Sequence, residues 1–186
     1  MARFEYGVVP KSRTLYPISM TSPLPSRILS IDPGYDRCGA ALITVENGMA
    51  KLETSECITT NKTDEHAVRL AFVFRSIEAL ITKWQPTHIA VETLFFSVNK
   101  RTALKVAEAR GIVVTLAGLH SIPLVELSPQ EVKQSMTGSG NANKSQVQKM
   151  VQLSLKIDTT NLLDDEIDAI AVGFAAAGAL KVQQWK

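Results

Sequence analysis

The sequence contains little of several features that mark particular classes of protein. Only two of its 186 residues are cysteine, Cys38 and Cys57, and neither belongs to a CxxC pair. We therefore expect no zinc site and a reduced, cytoplasmic setting. No apolar run is long enough to span a bilayer, and residues 1–26 lack the continuous apolar segment of a signal peptide, so we expect no membrane partner.

An excess of one charge is also missing. The 20 Lys and Arg residues nearly balance the 18 Asp and Glu residues, for a net charge of +2. Because an acidic cleft and a basic surface cancel in such a sum, the net charge does not identify a partner. The chain is 45% hydrophobic and 20% charged, which is typical of a globular protein, and its length suits one domain.

The first 26 residues differ from the rest because no hydrophobic period emerges in them. Four prolines interrupt this stretch: Pro10, Pro17, Pro23 and Pro25. We expect residues 1–26 to be a poorly ordered N-terminal extension and residues 27–186 to form one domain. Met20 is an alternative natural start, and the sequence alone does not decide between the two.

The remaining residues alternate between strand and helix patterns. We expect strands over residues 27–32, 39–45, 49–59, 87–92 and 123–127, and helices over 63–84, 100–118, 144–156 and 163–180. Asn47-Gly48 is a hairpin signal that makes the first strands antiparallel, whereas helical crossovers make the later ones parallel. The pattern predicts an α/β fold, a mixed five-stranded sheet with helices on both faces.

Local signals add detail to two helices. The apolar residues of the first helix recur at helical spacing: Val68, Ala71, Phe72, Ile77, Leu80 and Ile81. A further helix is predicted to begin at Ser128-Pro129-Gln130-Glu131, which is a capping box with proline at the first helical position.

Two carboxylates stand at equivalent places, each at the end of an apolar strand. Asp32 ends Ile-Leu-Ser-Ile-Asp, and Glu92 ends Ile-Ala-Val-Glu. If the strands are neighbours, the two side chains lie together at one sheet edge, where ligand sites of such sheets are found. The alternative is that each acid simply begins a loop and faces water.

A second acidic group lies at the start of the last helix. Asp165 and Asp168 are three residues apart and so share a helix face, where their repulsion needs an opposite charge. The alternative is that these acids complement the positive helix N-terminus, with Asn161 as the cap, which suits Asp164 well. Spacing alone does not choose between Asp164 and Asp165 as the partner of Asp168.

A cluster of four carboxylates is costly without cations. Two carboxylates about 4 Å apart repel by roughly 4 kcal/mol at an effective dielectric near 20. Two divalent ions would offset this charge, and hard carboxylate oxygens suit Mg²⁺ or Mn²⁺. A pair of such ions also suits phosphodiester hydrolysis, in which one activates water and the other stabilises the leaving oxygen.

Four stretches resemble the RuvC-type Holliday-junction endonucleases of bacteria, in that family's order and approximate spacing. They are ILSIDPG, IAVETLFFSVNKRTALKVAEARG, LSPQEVKQSMTGSGNANKSQVQKMV and LLDDEIDAIAVGFAA, and the resemblance covers about residues 27–180. It implies a ribonuclease-H-like fold, a homodimer, two Mg²⁺ ions per site, and paired nicks in a four-way DNA junction that leave 5′-phosphates. Whether a branch-migration motor is also a partner stays open.

The resemblance assigns the metal-binding and catalytic acids residue by residue. Asp32 and Glu92 match the first two, and Asp165 with Asp168 match the C-terminal pair, so that Asp164 is set aside. His66, His88 and His120 receive no catalytic role, and Asp36 is expected to be a structural loop residue.

Basic and aromatic residues are candidates for contacts with DNA. The basic ones are Lys100, Arg101, Lys105, Arg110, Lys133, Lys144 and Lys149. Phosphate contacts of this kind give affinity without reading sequence, although for any single lysine a solvated helix face is the better explanation. The resemblance favours Lys133 and Lys144, and Lys144 is expected to stabilise transition-state charge. Phe95 and Phe96 are expected to act as a wedge on unpaired bases, with core packing of at least one as the alternative.

Three other functions are compatible with parts of this pattern. A related fold could cut structured RNA, and a junction-binding protein could lack catalysis, although the presence of all four acids argues against that. The DPG motif also resembles the start of actin-like ATPases. Those need two lobes, and one domain is too short for them.

Overall fold

The computed structural model describes residues 25–93 and 100–183, with side chains except at 100–102, 182 and 183. Within these ranges the elements are β1 (Ser26–Asp32), β2 (Arg37–Glu46), β3 (Met49–Thr59), α1 (His66–Trp84), β4 (His88–Glu92), α2 (Lys100–Leu119), β5 (Leu124–Leu127), α3 (Pro129–Thr137), α4 (Lys144–Leu155) and α5 (Asp164–Gln183). All the predicted elements are confirmed, with small shifts at their ends. β1 begins at Ser26, one residue inside the predicted extension, while residues 1–24 lie outside the described part.

The strands form one mixed sheet in the order β3-β2-β1-β4-β5. β1 pairs antiparallel with β2 and parallel with β4, and β5 runs parallel to β4. Asn47 and Gly48 both have positive φ angles, as the predicted hairpin between β2 and β3 requires. Because β1 lies between β2 and β4, its C-terminal end is the centre of the sheet edge where the acids are expected.

Helices cover both faces of the sheet and create two apolar cores. α1 and α2 pack on one face, which presents Leu29 and Ile31 of β1. α3, α4 and α5 pack on the other face, which presents Ile28 and Ile43. The alternation along β1 follows from the two-residue period of a strand. None of the helices in the described part of the chain is both long and apolar enough to cross a membrane.

The predicted helix α1 is confirmed, but two of its regularly spaced apolar residues do not face the core. Val68 and Phe72 are 48% and 44% exposed, whereas Arg69 and Val73 are buried in their place. The helix carries apolar residues on two faces, and the face that turns inward is the one on which Arg69 bonds to Tyr35 and Asp36 of the β1–β2 loop and to Thr60 after β3. The capping box of α3 is confirmed, with both Ser128 and Glu131 in their expected bonds.

A candidate metal centre and nucleic-acid interface

Asp32 and Glu92 end two neighbouring parallel strands. Ile31 pairs with Val91, so the next residue of each strand lies at the same level of the sheet edge. Both carboxylates are half-buried. The expectation that these strands are neighbours is therefore confirmed by the topology.

Gly39 brings the start of α5 to the same edge. It pairs with Asp32 across β1 and β2. A Cβ atom at this position would collide with the backbone carbonyl of Asp165 and would crowd Ala169. Only a residue without a side chain lets α5 lie this close to the strand, and the contact sets Asp165 beside Asp32.

Glu166 fixes the first turn of α5. Its carboxylate accepts hydrogen bonds from the hydroxyl of Ser55 at 2.9 Å and from the backbone N–H of Leu163 at 3.1 Å. Asn161, the cap in the alternative interpretation, does not fill that position, because the helix begins at Asp164 and Glu166 accepts from the N–H group just before it. Glu166 is only 9% exposed, and it ties the turn that carries the acids to β3.

The three aspartates of this turn differ in exposure. The side chain of Asp164 is 65% exposed, compared with 37% for Asp168 and 19% for Asp165. Asp165 and Asp168 thus face the sheet edge more than Asp164 does. The exposures thus separate Asp164 from Asp165, which helical spacing alone does not do, since residues three and four apart both share a face with Asp168.

Two cations stand against this acidic group. Nζ of Lys144 lies 2.9 Å from Oδ2 of Asp168 and 3.4 Å from Oδ2 of Asp164. Nε of Arg37 lies 2.9 Å from Oδ2 of Asp165, without the geometry of a hydrogen bond. That oxygen is buried, and among the described residues it has no hydrogen-bond donor.

Burial and mutual repulsion shift the pKa values of the two strand-end acids upward. Burial, then the charges of Asp168, Glu92 and Asp165, raise the pKa of Asp32 to about 7, although Lys144 acts in the opposite direction. Burial and the charge of Asp168 also raise the pKa of Glu92, against the effect of Lys133. These shifts indicate that the carboxylates repel one another electrostatically at this edge of the sheet.

The pKa of Lys144 moves in the direction that an acidic neighbourhood predicts. Burial by itself lowers this pKa, but the hydrogen bond to Asp168 and the charges of Asp168 and Asp164 outweigh it, so the net shift is upward. Lys144 is therefore held as a cation over the acidic group.

The donor set fits a hard divalent cation. Half-buried carboxylates with raised pKa values and a buried oxygen without a donor are groups that such an ion would stabilise. No three His, Cys, Asp or Glu side chains of residues 25–93 and 100–183 surround a common point as ligands. Arg37 and Lys144 each pair with one of the acids, Asp165 and Asp168 respectively.

Of the other residues predicted to contact DNA, some lie beside the acidic group and one does not. Lys133 and Lys144 line a cavity of about 230 Å³ together with Glu92 and Asp168. Lys105 lines a second and larger cavity that also reaches Asp165. Arg110 instead turns to the sheet, where it donates to the carbonyl of Glu92 and contacts Glu126, so it braces β4.

Other predicted residues cannot be placed in the same way. Phe95 and Phe96 lie outside the described residues, as do the side chains of Lys100 and Arg101 at the start of α2.

Asp36 belongs to a structural cluster, as expected. Its carboxylate binds the guanidinium of Arg69, which also donates to the hydroxyl of Thr60 and lies 3.9 Å from the ring centroid of Tyr35. The hydrogen bond from Arg69 holds the pKa of Asp36 below its usual range. The buried Arg69 thereby ties the loop between β1 and β2 to α1, and no local pattern in the sequence predicts its burial.

His66 also has a structural setting. It is hydrogen-bonded to the hydroxyl of Tyr35 at 2.8 Å, and its other ring nitrogen lies 3.1 Å from a carboxylate oxygen of Glu108. These contacts join the β1–β2 loop to α1 and α2.

The chain is similar to known proteins over nearly all of the described fold. The profile of the family described as Crossover junction endodeoxyribonuclease RuvC matches residues 28–176. The protein of that name from Brachyspira hyodysenteriae is 42% identical over 155 residues, which are 83% of this chain and 95% of that protein. Its counterpart from Heliobacterium modesticaldum is 39% identical over 153 residues, 82% of this chain and 94% of that protein.

A solved structure agrees with the sequence match. The structure of T. thermophilus RuvC in complex with Holliday junction substrate superposes with a TM-score of 0.78 at 25% identity, covering 85% of this chain and 96% of that one. The mixed sheet and the helices on both faces thus define a protein of the ribonuclease-H-like class. Within that class, the chain belongs to the RuvC family of crossover junction endodeoxyribonucleases.

Proposed function

We propose that this protein is a structure-selective endonuclease that cuts four-way DNA junctions by paired symmetric nicks. The observation that carries the proposal is the meeting of Asp32, Glu92 and the first turn of α5 at one sheet edge, in a chain of the RuvC family. Acids from three distant segments converge there, which a purely structural role does not require.

Asp32, Glu92, Asp165 and Asp168 would hold divalent metal ions at this edge, with Mg²⁺ as the physiological ion and Mn²⁺ as a substitute. When bound, two such ions supply activation of water and stabilisation of the leaving oxygen. The chain positions these carboxylates through the β1–β4 register and through the contact of α5 with Gly39.

Lys144 and Lys133 supply positive charge near the cleaved strand. Lys144 already lies 2.9 Å from Asp168, so its ammonium group is close to where a scissile phosphate would meet the acids. It would stabilise the charge that develops on the phosphate in the transition state. Lys105, Lys100 and Arg101 would hold other phosphates, and Phe95 or Phe96 would stack on unpaired bases at the branch point.

A homodimer would place two such sites on a two-fold junction. The outer face of α2 is the candidate interface, because it exposes Leu104, Val114 and Leu119 at 64%, 38% and 67%. Gly111 and Gly118 lie on the same face with open space around them, which permits close approach of a second helix. The proposal also includes a branch-migration motor as a further partner and an N-terminal extension separate from the nuclease domain.

The central test compares two adjacent aspartates. Asp165→Asn should abolish cleavage of a synthetic mobile four-way junction in Mg²⁺, while junction binding in EDTA is kept. Asp164→Asn is the matched control, since its side chain is 65% exposed, and it should retain cleavage. Products are mapped at nucleotide resolution on a junction, a linear duplex and a structured RNA.

Full activity of Asp165→Asn would contradict the site assignment. Cleavage of the RNA but not of the junction by the unaltered protein would contradict the substrate.

A further inference from the structure

A cavity of about 640 Å³ lies beside the acidic edge, and of its lining residues only Asp165 and Lys105 have a role proposed above. It lies within the size range of ligand-binding pockets. Its polar lining consists mainly of Tyr35, Asp36, Arg37, Lys62, Lys105 and Asp165. Since Asp165 is shared, whatever occupies this cavity is adjacent to a group bound at the acidic edge.

Three cations converge on the cavity from three separate elements. Arg37 comes from the start of β2, Lys62 from the loop before α1, and Lys105 from α2. Nζ of Lys105 lies 4.7 Å from the ring centroid of Tyr35, which orients it by a cation–π contact. Arg37 is 48% exposed even though its Nε approaches Asp165, so part of its guanidinium is open to a ligand.

The two carboxylates of the cavity are already opposed by cations. One carboxylate oxygen of Asp36 bonds to the buried Arg69. The other oxygen of Asp36 lies 3.7 Å from Nζ of Lys62. Asp165 is faced by Arg37. With Arg69 included, positive groups outnumber negative ones, so the cavity favours an anion.

We propose that this cavity is a phosphate subsite that binds the DNA backbone next to the scissile phosphate, with Arg37 and Lys62 as contacts in addition to Lys105. This inference rests on the proposed junction-cutting function. A continuous strand whose scissile phosphate lies at the acidic edge passes this cavity because Asp165 lines both. The planar fork of Arg37 and the long stem of Lys62 suit an oxygen-rich phosphodiester, which carries one charge for each nucleotide.

The salt dependence of binding tests the subsite. Arg37→Gln and Lys62→Gln are compared with Lys51→Gln, a control on β3 whose side chain is 73% exposed and paired with Glu53. Binding to a four-way junction is measured in EDTA over a range of salt, so that metal affinity does not enter. Each cavity variant should reduce the slope of log K against log salt by about 0.9, and the control should leave it unchanged.

Single neutral phosphates locate the contact. A set of junctions is prepared, each with a single methylphosphonate at a different position near the cut. At one position, neighbouring the scissile phosphate, the substitution should weaken binding of the unaltered protein. The same substitution should cause no further loss of affinity in the cavity variants, which already lack the contact. Unchanged slopes in both cavity variants, or full sensitivity to that position in both, would overturn the subsite. If Arg37→Gln changes only the Mg²⁺ concentration needed for cleavage, Arg37 serves Asp165 and is not a phosphate contact.

These outcomes are separate from the fate of the proposed function. A protein that cuts junctions but whose cavity variants bind normally loses the subsite alone. A protein that cuts no junction loses the function itself. Melting temperatures of the three variants confirm that each is folded.

Discussion

Asp32 is half-buried, and the negative charges of three other carboxylates repel its own charge. Its pKa of about 7 lies above the ordinary value of 3.8, because burial and the charges of Asp168, Glu92 and Asp165 disfavour ionisation. Between pH 3.8 and about pH 7, the Asp32 carboxyl is therefore protonated in the folded protein and ionised in the unfolded chain. This group favours folding most below about pH 4, and its contribution is lost as the pH rises towards 7.

The pH dependence of stability follows from this sign. In EDTA, Asp32→Asn should raise the free energy of unfolding at pH 8 by about 2–4 kcal/mol, since the neutral amide removes a buried charge, and should have little effect at pH 4. Urea unfolding at both pH values measures the difference. Glu56→Gln, at an exposed position of β3, is the control and should change stability by less than about 0.5 kcal/mol.

The same variant should lose stabilisation by metal. Mg²⁺ should raise the melting temperature of the unaltered protein at pH 8 and should raise that of Asp32→Asn much less. If Asp32→Asn lowers the free energy of unfolding equally at both pH values, the prediction fails, because the ionised Asp32 carboxylate then does not destabilise the folded protein.

At the scale of elements, the packing of α5 on β2 positions half of the proposed ligands. Gly39 is a point of close approach, since an added Cβ would meet the backbone of Asp165. Backbone atoms cannot rotate away as a flexible side chain can. Displacement of the whole first turn of the helix is then the remaining response, and it separates Asp165 from Asp32.

Gly39→Ala should therefore impair the metal site more than the fold. We expect a loss of about 1–3 kcal/mol in unfolding free energy and a higher Mg²⁺ concentration for half-maximal cleavage. Gly178→Ala on the same helix is the control, because its added Cβ would meet only the hydroxyl of Ser135 at 3.6 Å, an ordinary contact. An unchanged Mg²⁺ requirement in Gly39→Ala would show that the approach of α5 does not set the site.

The elements also show how far sequence reasoning reaches. Hydrophobic periodicity, Asn47-Gly48 and the Ser128 capping box were sufficient for the order of strands and helices, because these signals act within a few residues. The inward face of α1 was not predictable, since it depends on bonds between Arg69 and a loop more than 30 residues earlier.

In the candidate site, too, the residues that local sequence patterns predict differ from those that depend on tertiary packing. Asp32 and Glu92 could be paired from strand ends, and the family motif selected Asp165 over Asp164. Arg37 and Lys62 were not predicted as site residues, because the start of β2 and the loop before α1 meet only after β2, β3 and α1 have packed. A cavity formed by residues of separate elements leaves no spacing pattern in the chain.

At the scale of the whole molecule, the outer face of α2 would decide the assembly state. Gly111→Lys should convert the proposed dimer into a monomer, because a long charged side chain replaces open space at the interface. The monomer itself should be at least as stable, since lysine favours a helix more than glycine does by roughly 0.7 kcal/mol. Analytical ultracentrifugation measures the mass, and junction cleavage should change from paired to single nicks.

Ser154→Lys provides the matching charge change on an exposed position of α4. It should leave the mass and the paired nicks unaltered. A Gly111→Lys protein that still sediments as a dimer would place the interface elsewhere.

The distance in sequence between Asp32 and α5 has a consequence for protein synthesis. The proposed ligands lie on β1, β4 and α5, and α5 follows every strand of the sheet in the chain. A nascent chain that has completed the sheet carries only Asp32 and Glu92, so it has no complete site. Nuclease activity would thus arise only once α5 has been synthesised and has docked on Gly39, and chains that end before α5 could not nick DNA.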